Sequence, residues 1–120
     1  MHTTIIQHPF AEKKTAKFSG KITDESGVGV LPSAIKLTLY DRQTLAIVNS
    51  RSGGSILNIN GGTCDANGNW TLTLTPADMA ILDTTNRQEL RTALVEWTYG
   101  GTKEGGAEIR FTIDNLEKVT

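Results

Sequence analysis

A chain of 120 residues with 38% hydrophobic and 21% charged residues fits a single domain. It is long enough to bury about two thirds of its unfolded surface without a disulfide or metal staple, and too apolar to stay disordered. Twelve Lys and Arg against thirteen Asp and Glu leave a net charge of −1, which excludes the overall basic excess of a protein that binds nucleic acid by neutralising phosphates. One cysteine, Cys64, rules out an internal disulfide and a multi-thiolate zinc site, and no apolar run reaches the ~18 residues of a membrane span.

Residues 1–14 carry no periodicity. Ile5, Ile6, Pro9 and Phe10 precede the charged run Glu12-Lys13-Lys14. Burying an isoleucine or a phenylalanine is worth about 1.5–3 kcal/mol, so this segment reads as an arm that docks on a neighbouring subunit. Ile5, Ile6, Pro9 and Phe10 are its expected contact residues, and residues 15–120 form the domain proper. On that reading residues 1–10 are dispensable for folding. No basic-then-apolar leader opens the sequence, so synthesis and folding in a cytoplasm are the expectation.

Short strands follow. Lys17–Thr23 alternates, with Phe18 and Ile22 on one face and Gly20 between them. Asp24-Glu25-Ser26-Gly27 is a turn signal, because glycine accepts positive φ. Ile35–Asp41 sets Ile35, Leu37 and Leu39 inward against outward Lys36, Thr38 and Tyr40, a half-buried strand. Leu45–Val48 is a shorter strand, Ser52-Gly53-Gly54 a break, and Ile56–Ile59 another short strand. Asn60-Gly61 and Asn67-Gly68 read as type I′ hairpin turns.

Trp70, Leu72 and Leu74 then alternate with Thr71, Thr73 and Thr75. Thr75-Pro76-Ala77-Asp78 switches to a helix start: Thr75 caps, Pro76 suits the first position, and Asp78 favours the positive end. A short helix near residues 76–82 is expected, with Met79 and Leu82 on one face. Leu90–Tyr99 carries Ala93, Val95, Trp97 and Tyr99 on one face and Leu90 and Leu94 on the other, as a central strand does. Ala107–Asp114 closes the domain with Ile109, Phe111 and Ile113 inward. The fold class is all-β: an immunoglobulin-like β-sandwich of about seven to eight strands with one short helix.

Catalytic and metal-binding motifs are missing. Asp65-Ala66-Asn67-Gly68-Asn69 lacks the sixth-position Gly and twelfth-position Glu of an EF-hand loop and reads as a turn. A weak calcium site of another kind on Asp65 is the remaining metal reading. His2 and His8 have no paired ligand at metal spacing, and no Gly-x-Ser-x-Gly elbow accompanies them. No Gly-Gly pair leads into the helix a phosphate loop requires. Paired carboxylates for glycoside hydrolysis leave no mark in a sequence. Trp70 and Trp97 are expected core anchors, with sugar stacking as the functional alternative. Cys64 reads as a half-buried strand residue. No cofactor is expected.

Three runs together carry a resemblance: Ile35-Lys36-Leu37-Thr38-Leu39-Tyr40-Asp41; Gly68–Asp78; and Leu94-Val95-Glu96-Trp97-Thr98-Tyr99 followed by Ile109–Ile113. Over about residues 17–116 they resemble the small immunoglobulin-like domains of tailed-bacteriophage virion proteins, including the N-terminal domain of baseplate upper proteins. The resemblance implies a non-enzymatic virion protein. Its partners would be other virion proteins, capsid, portal or neck, or tail subunits, in a multi-copy symmetric assembly without nucleic acid or membrane. Baseplate upper proteins continue into a receptor-binding or fibre-anchoring region, whereas this sequence stops with the sandwich. The expected role is therefore to decorate or join the capsid and neck at the head–tail interface. A tail, baseplate or host-surface carbohydrate-binding module, using the Ser52–Asn60 region or an exposed aromatic, is the alternative.

Overall fold

In the computed structural model, which describes residues 2–7 and 9–116, the chain forms two β-sheets whose inner faces share one hydrophobic core. The strands are β1 (His2–Ile5), β2 (Phe10–Ala11), β3 (Ala16–Lys21), β4 (Ala34–Asp41), β5 (Ile47–Ser55), β6 (Gly62–Cys64), β7 (Asn69–Leu74), β8 (Gln88–Tyr99) and β9 (Lys103–Asp114). The larger sheet runs β1-β9-β8-β4-β5, with β2 also on β9; the smaller runs β3-β7-β6. β1 and β2 pair with β9 in parallel, and all other ladders are antiparallel.

Alternation builds the core. Ile35, Leu37 and Leu39 of β4, Trp70, Leu72 and Leu74 of β7, and Ile109, Phe111 and Ile113 of β9 are all buried, as period-two side-chain placement requires. The all-β, two-sheet architecture matches the sequence reading. The details differ in five places.

The N-terminal segment is not a free arm: β1 and β2 are the edge of the larger sheet. Their strands bring the total among the described residues to nine, against the seven to eight expected. Ile56–Ile59 is not a strand. Asn58 at φ 57° and Asn60 at φ 55° break its extended backbone, and β6 takes that place in the sheet. Ser52-Gly53-Gly54 does not break the chain either. It runs within β5 across register shifts against β4, with the Gly53 N–H on Thr38 Oγ1 at 3.0 Å. Asn60-Gly61 has the two positive φ values a type I′ turn needs, but at Asn67-Gly68 only Gly68 does. There Asp65 opens a three-residue loop, with Gly68 N–H on Asp65 O and Asp65 N–H on Asn69 O.

The helix near residues 76–82 is a single turn instead, and no α-helix occurs among the described residues. Its start signal is real. Thr75 N–H donates to Asp78 Oδ2 at 2.8 Å and Asp78 N–H to Thr75 Oγ1 at 3.4 Å, a reciprocal capping box. Met79 N–H reaches Thr75 O and Pro76 O, both at 3.2 Å. The turn does not propagate, and four backbone groups that a second turn would use are bonded elsewhere. The Leu82 and Asp83 N–H groups donate to the two oxygens of Glu89 at 2.7 and 2.9 Å. Ala80 O accepts from Arg91, and Met79 O accepts from Lys13. Met79 is buried while Leu82 is 47% exposed, so the two do not share a face.

Arg91 organises this end of the sandwich. It projects inward from β8 with no exposed surface. Its Nη1 lies 2.9 Å from Glu89 Oε1 and 3.4 Å from Asp41 Oδ2. Nearby, Asp78 accepts from Arg51 Nε and Nη2 at 3.0 and 2.9 Å and from Asn49 at 2.9 Å. Burial pushes the Asp78 and Glu89 carboxyls up, but these hydrogen bonds outweigh it, and both lie below the ordinary carboxylate range.

Removing one partner of a buried ion network strands the others. Arg91→Ala is expected to lose about 3–5 kcal/mol of stability, read as a lower urea midpoint at unchanged slope. For Asp78 and Glu89 the folded-state pKa lies below the unfolded one. The unfolded chain therefore takes up protons first as pH falls. Their stabilisation is complete above the ordinary values of 3.8 and 4.5 and is lost as pH drops through the folded values. Urea midpoints measured from pH 7 to 2.5 should fall below about pH 4.5, and less steeply in Glu89→Gln.

Candidate functional site

At the other end of the sandwich the two sheets part. A cleft of about 560 Å³ opens between the β1–β9 side of the larger sheet and β3 of the smaller one. Phe18, Trp70, Trp97, Ile6 and Ile109 give it apolar walls, and Lys17, Ser19 and Lys21 stand at its β3 rim.

Two glycines aim the tryptophans. Trp70 lies across Gly20 on the adjacent strand: a Cβ at Gly20 would sit 2.7 Å from the indole ring. Trp97 lies across Gly105 in the same way, with a Cβ there 2.5 Å from Nε1. Each ring needs the missing side chain of its neighbour to lie flat and reach the cleft. Among the described residues neither indole N–H donates to a protein acceptor.

The β3 rim is bare backbone. Thr73 N–H donates to Gly61 O, and Asn69 O accepts from Asp65 N–H, so the odd-numbered groups of β7 face β6. The even-numbered groups face β3, where Trp70, Leu72 and Leu74 stand opposite Gly20, Phe18 and Ala16. In an antiparallel ladder N–H and C=O of one residue point the same way and alternate along the strand. The N–H and C=O groups of Lys17, Ser19 and Lys21 therefore point away from β7. Among the described residues no strand lies on that side.

The four expected contact residues do not form one surface. Phe10 turns inward, edge-to-face with Phe18 and Phe111, each at a centroid distance of 5.7 Å. Ile6 packs on the core and lines the cleft. Ile5, 59% exposed, and Pro9 face outward. Trp70 is only 4% exposed, which makes it a core anchor and leaves no ring face for sugar stacking; Trp97 is half-buried. In the Ser52–Asn60 region the Asn58 and Asn60 side chains hold their own loop, through Cys64 N–H and Ser55 O.

Asp65 is engaged by its turn, accepting from Asn67 N–H, Asn69 N–H and Asn69 Nδ2 at 2.9–3.1 Å. No group of three metal-ligating side chains occurs among the described residues. His8 and Met1 lie outside them, as do residues 117–120. Cys64 is buried, and burial, with Asp65 beside it, pushes its thiol up, away from the reactive thiolate. Sequence reasoning missed the cleft. Gly20 between two inward residues was the available signal, since an interior strand glycine marks close approach of another group.

Comparison with protein-family models, with curated proteins and with solved structures finds no match to this chain.

A methyl group at Gly20 must push the Trp70 ring aside. Gly20→Ala is expected to cost about 1–3 kcal/mol, as overpacking does, and to change tryptophan emission in the native state. Thermal melts and emission spectra beside those of Gly54→Ala, an exposed β5 position with open space around it, measure both.

Proposed function

We propose that this chain is a non-enzymatic assembly subunit with an immunoglobulin-like sandwich, and that it works in a tailed-phage virion by joining or decorating the capsid and neck. The strand order supports the fold assignment. β3, β7 and β6 stand as strands B, E and D of one sheet, and β9, β8, β4 and β5 as G, F, C and C′ of the other. β1 on β9 is a parallel edge strand added to G. The virion setting rests on the residue runs that resemble phage modules.

The observation that carries the assembly role is the open edge of β3 beside an apolar cleft. Soluble domains ordinarily cover or blunt such an edge, because its unpaired groups invite another chain. Phe10 and Ile6, held in the core, leave the sandwich edges rather than a swinging arm as the contact surface. Many copies on a symmetric particle would then bind firmly through individually weak contacts.

Mass spectrometry of purified particles from a host carrying this gene tests the setting. The chain is expected among the virion proteins at many copies per particle. Its absence from particles, with the chain abundant in the host lysate, overturns the proposal. Its position in an electron-microscopy map of the particle separates capsid or neck from tail.

A further inference from the structure

We infer that the β3 edge is a strand-acceptor site: it takes an extended segment of another protein in which apolar residues alternate with Asp or Glu. The inference holds whether or not the setting is a virion, because it stands on the edge itself.

Three features define the occupant. The free N–H and C=O groups of Lys17, Ser19 and Lys21 sit at every second residue along β3, the spacing at which an added strand forms its ladder. The cleft beside them is apolar and walled by Phe18, Trp70 and Trp97. Every second side chain of an added strand would enter it, so those positions are apolar. The intervening side chains would stand on the outer face, beside the exposed Lys17 and Lys21. Opposite charges facing each other across strands stabilise, and like charges destabilise. Those positions are therefore acidic.

The same lysines argue against a second copy of this chain. Antiparallel pairing of two β3 strands about Ser19 would set Lys17 of each opposite Lys21 of the other. Lysines on an edge are a common device against such self-pairing. Here they also select the charge of the strand that is admitted.

A small molecule fits less well. The cleft volume is within the range of ligand pockets, but one wall is a run of bare strand backbone, whose hydrogen-bonding groups a strand satisfies in register.

The test is selection of a displayed library of random nine-residue peptides on the immobilised full chain. Peptides alternating apolar with acidic residues are expected to be enriched. As soluble peptides they should change the emission of Trp70 and Trp97 saturably. Ser19→Pro removes a free N–H at an edge position that tolerates proline and should weaken binding at least tenfold. Lys17→Glu with Lys21→Glu should do the same and turn selection toward basic peptides. Should Ser19→Pro fail to fold, the selected peptide N-methylated at alternate residues replaces it, and must likewise lose at least tenfold. No enrichment, enriched peptides without the alternation, or affinity indifferent to both the proline and the N-methyl changes overturns the inference. So does a dimer in sedimentation that Ser19→Pro dissociates, since a second copy would then be the occupant.

Discussion

A fully buried arginine sets the layout of this sandwich. Arg91 stands on the inner face of β8, in line with Ala93, Val95 and Trp97. A guanidinium in that position is tolerable only if its surroundings supply acceptors, because an unpaired charge in a dry interior is prohibitively costly. Glu89 and Asp41 supply them to Nη1 and the Ala80 carbonyl to Nη2, while Nε has no partner among the described residues. Meeting that demand fixes the crossover between β7 and β8. Ala80 must lie over the end of the sandwich, and Glu89, brought there by Arg91, collects the N–H groups of Leu82 and Asp83. The polar network closes this end while the apolar middle holds the sheets together.

The opposite end has no such closure. From Arg91 to Trp97 the inner face of β8 runs about 20 Å, passing from charge to aromatic ring. Trp97 and Trp70 come from central strands of opposite sheets, and each is accommodated by a glycine on the neighbouring strand. The rings fill part of the gap between the sheets without sealing it. One end is thus locked by directional bonds, and the other is left with an apolar recess. A recess bounded by rigid strands is better suited to receiving a partner than a flexible loop, because little has to be ordered on binding.

How much of this was legible in the sequence follows from the range over which each feature is determined. β4, β7 and β9 were readable because period-two burial is written locally, residue by residue. The capping box at Thr75 and Asp78 was readable for the same reason. The helix it announced was not, because Glu89 and Arg91, from a distant strand, hold backbone groups that a second turn would use. Arg91 itself could have been placed: the parity of Ala93, Val95 and Trp97 carries back to it. Charge masked that signal, since arginine is seldom fully buried. The N-terminal segment gave no period because β1 and β2 are short parallel edges with a non-strand stretch between them. Of the candidate contact residues, Phe10 and Ile6 were identified as apolar groups needing cover, but their cover is Phe18, Phe111 and the core of the same chain.

The place of the N-terminal segment explains the open edge. Residues 2–5 and 10–11 could cover one exposed edge of the sandwich: that of β9 or that of β3. The structure puts them on β9. Phe10 fixes that choice, since its ring meets Phe111 of β9 and Phe18 of β3 together and so holds the segment at the seam between the sheets. β3 begins only five residues after β2, too close for the chain to supply β3 with a neighbour as well. The smaller sheet is left at three strands against six. The lysines on β3 then have a clear physical task. An uncovered strand beside an apolar recess is a hazard unless something discriminates among the chains that reach it, and two positive charges on its outer face do so by sign.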